Sequence, residues 1–259
     1  MSDNGQVKAI VRSNILDVPA DGNCLFACIY HVTRPENLCI TDAVRRELDK
    51  LTNTMKVTKI DDMDSASQKI RVFVVHLLNK NGNHNKMFAN FLAIDEENVN
   101  RIIKQSEELK VDGTVTQEHP SQTLKRLAQK KDFAEFVKVY ANKCLADASR
   151  TFYPDHTEFE IIKDALDKTG VSLIRLPLNT RDLSPLQNNT VETRVFIDCA
   201  VLNLSNEKRD HVAVVTFGGM HYKYVQFRYS DGTLKTVVPR MDALFFFEVC
   251  KEYMRRSHG

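Results

Sequence analysis

The chain has 259 residues, enough for one large domain or for a catalytic core that carries an insertion. Hydrophobic residues make up 42 % and charged residues 27 %, and 36 basic against 34 acidic residues leave a net charge of +2. That balance gives no broad field for nucleic acid or an anionic membrane, so neither is expected as a partner. Six cysteines are scattered without a CxxC pair, the first residues, Met-Ser-Asp-Asn-Gly, carry no apolar signal region, and no apolar run approaches about 18 residues. The expectation is a monomer acting in a reducing, cytosolic compartment, with its cysteines as thiols.

In chain order, Val7 to Val18 reads as extended lead-in chain. Pro19-Ala20-Asp21-Gly22-Asn23 is dense in turn formers, and an apolar helix starts abruptly at Cys24 and is ended by Pro35. Thr41-Asp42 reads as the cap of a second helix through Val44, Leu48 and Leu51. The middle of the chain is helical by period. One stripe holds Ile70, Phe73, Val74, Leu77 and Leu78, a second Val99, Ile102, Ile103 and Leu109, and a third Phe133, Phe136, Val137, Tyr140, Cys144 and Leu145. All three are core faces. Asn79 to Asn83 and Val111 to Thr114 read as surface loops.

Beyond about residue 170 the period changes. Val171 to Leu176, Val195 to Leu202, Val212 to Phe217 and His221 to Phe227 read as strands, with a polar loop from Pro177 to Arg194. Met241 to Tyr253 reads as a helix or a last strand. The sum is an α+β chain, helical in front with a small antiparallel sheet behind.

A thiol becomes a useful nucleophile when its pKa is lowered and a base stands near. In Asp21-Gly22-Asn23-Cys24-Leu25-Phe26 a tight turn precedes Cys24 and a helix begins at it. The unpaired N–H groups and helix dipole there favour thiolate, and the N–H groups around Asp21 to Cys24 offer a rest for an oxyanion. The plain alternative is a structural cysteine after an ordinary turn. Gly218-Gly219-Met220-His221-Tyr222 delivers a histidine to the start of a strand, and a cysteine early with a histidine late fits nucleophile and general base. Cys24, Cys28 and His31 also share one helical face, with Cys39 beyond, so a zinc site is the rival built from the same residues, although the spacing matches no common zinc motif.

The run Asp21 to Phe26 resembles the signature of the ovarian tumour (OTU) cysteine proteases, which are deubiquitinases. His221-Tyr222 is similar to that family's histidine motif, and Phe152 to Leu176, with Glu158, Phe159, Glu160, Ile161 and Leu166 before a strand, is similar to its helix–strand segment. The resemblance implies a papain-like fold, with a small, mostly antiparallel sheet packed between helices. It implies a single catalytic domain over 1–259 that hydrolyses isopeptide bonds at the ubiquitin C-terminus without a cofactor. Ubiquitin and polyubiquitin chains are the implied partners. It places the oxyanion loop at Asp21, Gly22 and Asn23 and makes Tyr222 a wall of the substrate cleft.

Two departures stand out. Where family members often carry Asp or Asn two residues after the histidine, this chain has Lys223, which only donates. Some branches of that family take the acid from upstream of the cysteine loop, so the resemblance points to Asp17, seven residues before Cys24, with Asp21, Asp198 and Asp210 as alternatives. Residues 55–130 exceed what a minimal member needs and resemble the inserted helical lobe of the bacterial effector branch, whose site of action would be a host cytosol. That lobe is expected to form part of the ubiquitin-binding surface. A catalytically inactive ubiquitin-binding module is the remaining alternative, with Lys223 as its best support.

Overall fold

The computed structural model describes residues 8–20, 22–33, 70–71, 74–79, 83–109, 118–146, 156–168, 170–178, 190–218 and 221–256. The helix expected after Thr41, Cys39, Asp21, Phe152 and most of the loop from Pro177 to Arg194 lie outside them. The order of elements is β1 (Ile10–Leu16), α1 (Cys24–Thr33), a helical stretch within 70–79, α2 (Asn83–Ile94), α3 (Glu96–Glu107), α4 (Pro120–Gln129) and α5 (Phe133–Tyr140), which runs into a π-turn at Ala141–Leu145. Then follow α6 (His156–Asp167), β2 (Val171–Pro177), α7 (Val191–Asn206), β3 (His211–Gly218), β4 (His221–Tyr229), β5 (Leu234–Lys235), β6 (Val237–Pro239) and α8 (Arg240–Arg256). The α+β reading holds.

The chain divides into two compact units. One comprises 1–20, 27–52 and 163–259, and the other 21–26 and 53–162. The second unit therefore reaches further than the insertion expected over 55–130, and it takes in the segment that carries Cys24.

The first unit is built on a mixed sheet in the order β1-β4-β3-β2, with β5 beside β4 and β6 beside β3. β1/β4 and β3/β4 are antiparallel and β2/β3 is parallel. The sheet is antiparallel at every pairing except β2/β3, and the parallel pair is explained by a correction to one expected strand. Val195 to Leu202 is not a strand but the middle of α7. Thr190 caps that helix, its hydroxyl accepting from the Thr193 N–H at 3.2 Å, and Phe196, Ile197, Ala200, Val201 and Leu204 are buried at helical spacing. Parallel neighbours need a crossover of this kind, so the residues misread as a strand are what allow β2 and β3 to run the same way. β2, between β3 and helices, is buried along nearly its whole length, as its unbroken apolar run requires.

The two faces of β4 go to different helices. Val225 and Phe227 pack with Phe246 and Phe247 of α8 and Phe196 of α7. Tyr224, on the opposite face, stacks on His31 of α1 with ring centroids 4.4 Å apart. The other unit is helical, with Val74, Leu78, Phe88, Leu92, Ile102, Leu124, Phe136 and Tyr140 as its core. Within it Tyr140 donates a short hydrogen bond to the buried Glu158, and Asn98 donates to Thr157 at 2.6 Å. Burial and the Glu158 charge raise the Tyr140 phenol well above its ordinary value, so it remains a donor.

Phe247 has no solvent exposure and touches three other aromatic rings. We expect Phe247→Ala to lower unfolding free energy by about 3–5 kcal/mol in a denaturant titration, without a change of slope.

Candidate active site

β1 and β4 are registered so that Leu16 lies opposite Tyr224 and Ile15 opposite Val225. One further step puts Asp17, just past the end of β1, opposite Lys223. His221 is two residues earlier on β4 and so shares the Lys223 face. The side chains meet accordingly. One oxygen of Asp17, Oδ1, lies 2.6 Å from His221 Nε2 and also accepts the Val18 N–H at 3.0 Å, while Oδ2 lies 3.4 Å from Lys223 Nζ.

Ionised carboxylate oxygens only accept, so His221 donates from Nε2. In the neutral ring that leaves Nδ1 with the lone pair, which is the state a general base needs. Desolvation works against the Asp17 charge, but the His221 hydrogen bond, the Lys223 charge and the Val18 N–H together hold the carboxyl below its ordinary 3.8. Lys223 cannot orient the imidazole, yet it helps to keep ionised the group that does.

Cys24 is the first residue of α1, and its first turn holds no acidic side chain that would oppose a thiolate. Cys24, Leu25 and Phe26 are all buried. Before them Gly22 has φ +82°, a left-handed conformation that side-chain-bearing residues rarely adopt, so the turn requires glycine there. Beneath the turn lies Arg71, wholly buried. Its Nε and Nη2 donate to Asn23 Oδ1 at 3.1 and 2.6 Å, and Nη2 also donates to the Gly22 carbonyl at 3.2 Å. Nη1 reaches the Leu145 carbonyl at 3.4 Å, and the guanidinium stands 4.7 Å from the Phe26 ring centroid.

The structure thus brings Asp17, His221 and Lys223 together in one unit, and Gly22, Asn23 and Cys24 together with Arg71 in the other. Of the acids expected as alternatives, Asp198 pairs with Lys251 at 2.7 Å, and Asp21 lies outside the described residues. Tyr222 requires a correction. It is fully buried, against Phe217 and within 3.5 Å of Arg175 Nη1, so it has no surface to serve as a wall for substrate. Its strand parity turns it away from the His221 face. Among the described residues no three His, Cys, Asp or Glu side chains are grouped to hold a metal ion. Cys28 is buried and the His31 ring is stacked on Tyr224. Burial pushes the Cys250 thiol up to about 11, which leaves it inert at neutral pH.

Sequence reasoning missed Arg71. The available signal was one charged residue inside the otherwise apolar run Ile70 to Val75. No protein-family model matches the chain, and no curated protein matches it. Among the described residues no helix is long and apolar enough to cross a membrane.

A lowered carboxyl pKa stabilises the fold above the ordinary value and ceases to do so as pH falls through the lowered midpoint. We expect carbon-detected NMR to place the Asp17 midpoint below 3.8. Lys223→Met should move it upward, and an unmoved midpoint would remove the lysine from this account.

Proposed function

We propose that the chain is a cysteine protease acting on ubiquitin conjugates, with Cys24 as nucleophile, His221 as general base and Asp17 as the orienting acid. The observation that carries the reading is the Asp17 carboxylate held 2.6 Å from His221 Nε2, at the late histidine of a chain whose early cysteine lies in Asp21-Gly22-Asn23-Cys24-Leu25-Phe26. A solvent-facing histidine needs no acid to set its tautomer, whereas a base that must present Nδ1 does. The OTU family, with its papain-like fold, is the framework that fits both motifs.

The chemistry follows from the roles. His221 takes the Cys24 proton, and the thiolate attacks the carbonyl carbon of the isopeptide bond at the ubiquitin C-terminus. The oxyanion rests on N–H groups of the loop before and at Cys24. When the intermediate collapses, the C–N bond breaks, and His221 returns the proton to the leaving lysine amine. Water deprotonated by His221 then attacks the thioester, releasing the ubiquitin carboxylate and restoring the thiol. The scheme uses no cofactor. Residues 177–194, at the place of the family's variable loop, would help to hold ubiquitin.

The test is a ubiquitin probe with a C-terminal electrophile, followed by hydrolysis of linkage-defined diubiquitins. Labelling should disappear in Cys24→Ala and in His221→Ala, and Asp17→Ala should lower kcat at least about tenfold. Full activity in Asp17→Ala would overturn the assignment of the acid. Ubiquitin binding with no labelling would instead describe a catalytically inactive binding module.

A further inference from the structure

Arg71 is the largest fully buried side chain of the described residues. A buried guanidinium is costly unless its donors are used, and here its forked donors reach the turn before Cys24 and the end of a helix. The Leu145 contact explains the far end. Leu145 closes the π-turn after α5, where backbone carbonyls lack partners within the helix and a cation is favoured. At the near end one guanidinium holds two successive residues, Gly22 through its carbonyl and Asn23 through its side chain.

Holding those two groups fixes the peptide between them. In a trans peptide the carbonyl and the following N–H point in opposite directions, and no described peptide bond is cis. With the Gly22 carbonyl directed at Arg71, the Asn23 N–H is directed to the opposite side of the turn. Gly22, at φ +82°, is the residue with the most backbone freedom in this segment, so its peptide is the one that most needs an external restraint.

Resting on the protease reading above, we propose that Arg71 is a positioning residue. It locks the Gly22–Asn23 peptide so that the Asn23 N–H is preset as an oxyanion donor for the carbonyl attacked by Cys24. The helical unit thereby contributes to the chemical step as well as to any substrate contact. A preset donor matters because it stabilises the developing charge without reorganising during the reaction.

This role separates two reactions of the same thiol. Alkylation of Cys24 by iodoacetamide forms no oxyanion, whereas hydrolysis of a ubiquitin C-terminal amide does. Arg71→Lys keeps a positive charge but replaces the planar fork by a point donor that cannot hold both acceptors in the same way. We expect kcat for a fluorogenic ubiquitin amide to fall about 100-fold in Arg71→Lys, with KM changed less than about threefold. The iodoacetamide rate at Cys24 should stay within about threefold of wild type. Circular dichroism and thermal unfolding establish that the variant is folded. If it does not fold, Asn23→Ala carries the test. That variant removes the acceptor of two of the bonds, and a fall of about tenfold in kcat at an unchanged alkylation rate is expected from it.

Alkylation and hydrolysis falling in parallel would assign Arg71 to the general integrity of the thiol environment and overturn the positioning role. Unchanged kcat in the folded variant, with wild type active, would overturn it as well and leave the protease reading standing. A wild-type protein that cleaves no ubiquitin conjugate would overturn both.

Discussion

The antiparallel register of β1 against β4 governs what the first unit can do. Leu16 opposite Tyr224 carries the chain on so that Asp17 meets Lys223 and, diagonally, His221. A slip of one residue would turn every side chain of β1 over and take the carboxylate off the histidine's face. The register is set by what lies further along β4. Val225 and Phe227 must face α7 and α8, Tyr224 must face α1, and these demands fix the parity of His221 and Lys223 too. The geometry of the Asp17–His221 pair is thus a by-product of packing three to six residues further along β4.

Lys223 is instructive because its type excluded it from one role and its position gave it another. At two residues beyond the histidine an acceptor would orient the imidazole from the same strand. With a lysine there, the acceptor comes from the neighbouring strand, and the lysine sits on the far oxygen of that acceptor. Desolvation opposes the Asp17 charge, and without a cation nearby a carboxylate beside a neutral imidazole would be easier to protonate. The pair Asp17 and Lys223 replaces one same-strand acceptor with a two-strand arrangement that has the same effect at Nε2.

Much of this was readable from the chain. The turn before Cys24, the helix that starts at it, the strand that starts at His221 and the three helical stripes are local patterns, and local patterns survive into the structure. Asp17 was reachable only through the family resemblance, which allows an acid upstream of the cysteine loop where Lys223 cannot accept. What stayed hidden was long-range. The stretch Val195 to Leu202 is rich in residues that favour strands, and only the burial of Phe196, Ile197, Ala200, Val201 and Leu204 on one face, with Val195 and Leu202 exposed, makes it a helix. Tyr222 reads as a surface aromatic beside a catalytic histidine, yet it alternates into the interior. Arg71 is 47 residues from Cys24 in sequence, and no periodicity links a charge in one helix to a turn in another segment.

The division of the chain gives the helical unit a different standing from an appended substrate-binding lobe. The segment 21–26, with Cys24 in it, belongs by its contacts with residues 53–162, and Arg71 is among those contacts. Removing residues 60–118 to ask whether the lobe binds ubiquitin would also remove the guanidinium under the Gly22–Asn23 peptide, so lost activity would not separate binding from chemistry. Point substitutions on the exposed faces of α3 and α4 leave Arg71 and the π-turn in place and isolate the contribution to binding. The Gly22–Asn23 turn is held within the helical unit by Arg71, and the Asp17–His221 pair within the sheet unit by the register of β1 on β4, each through residues whose first obligation is to their own core.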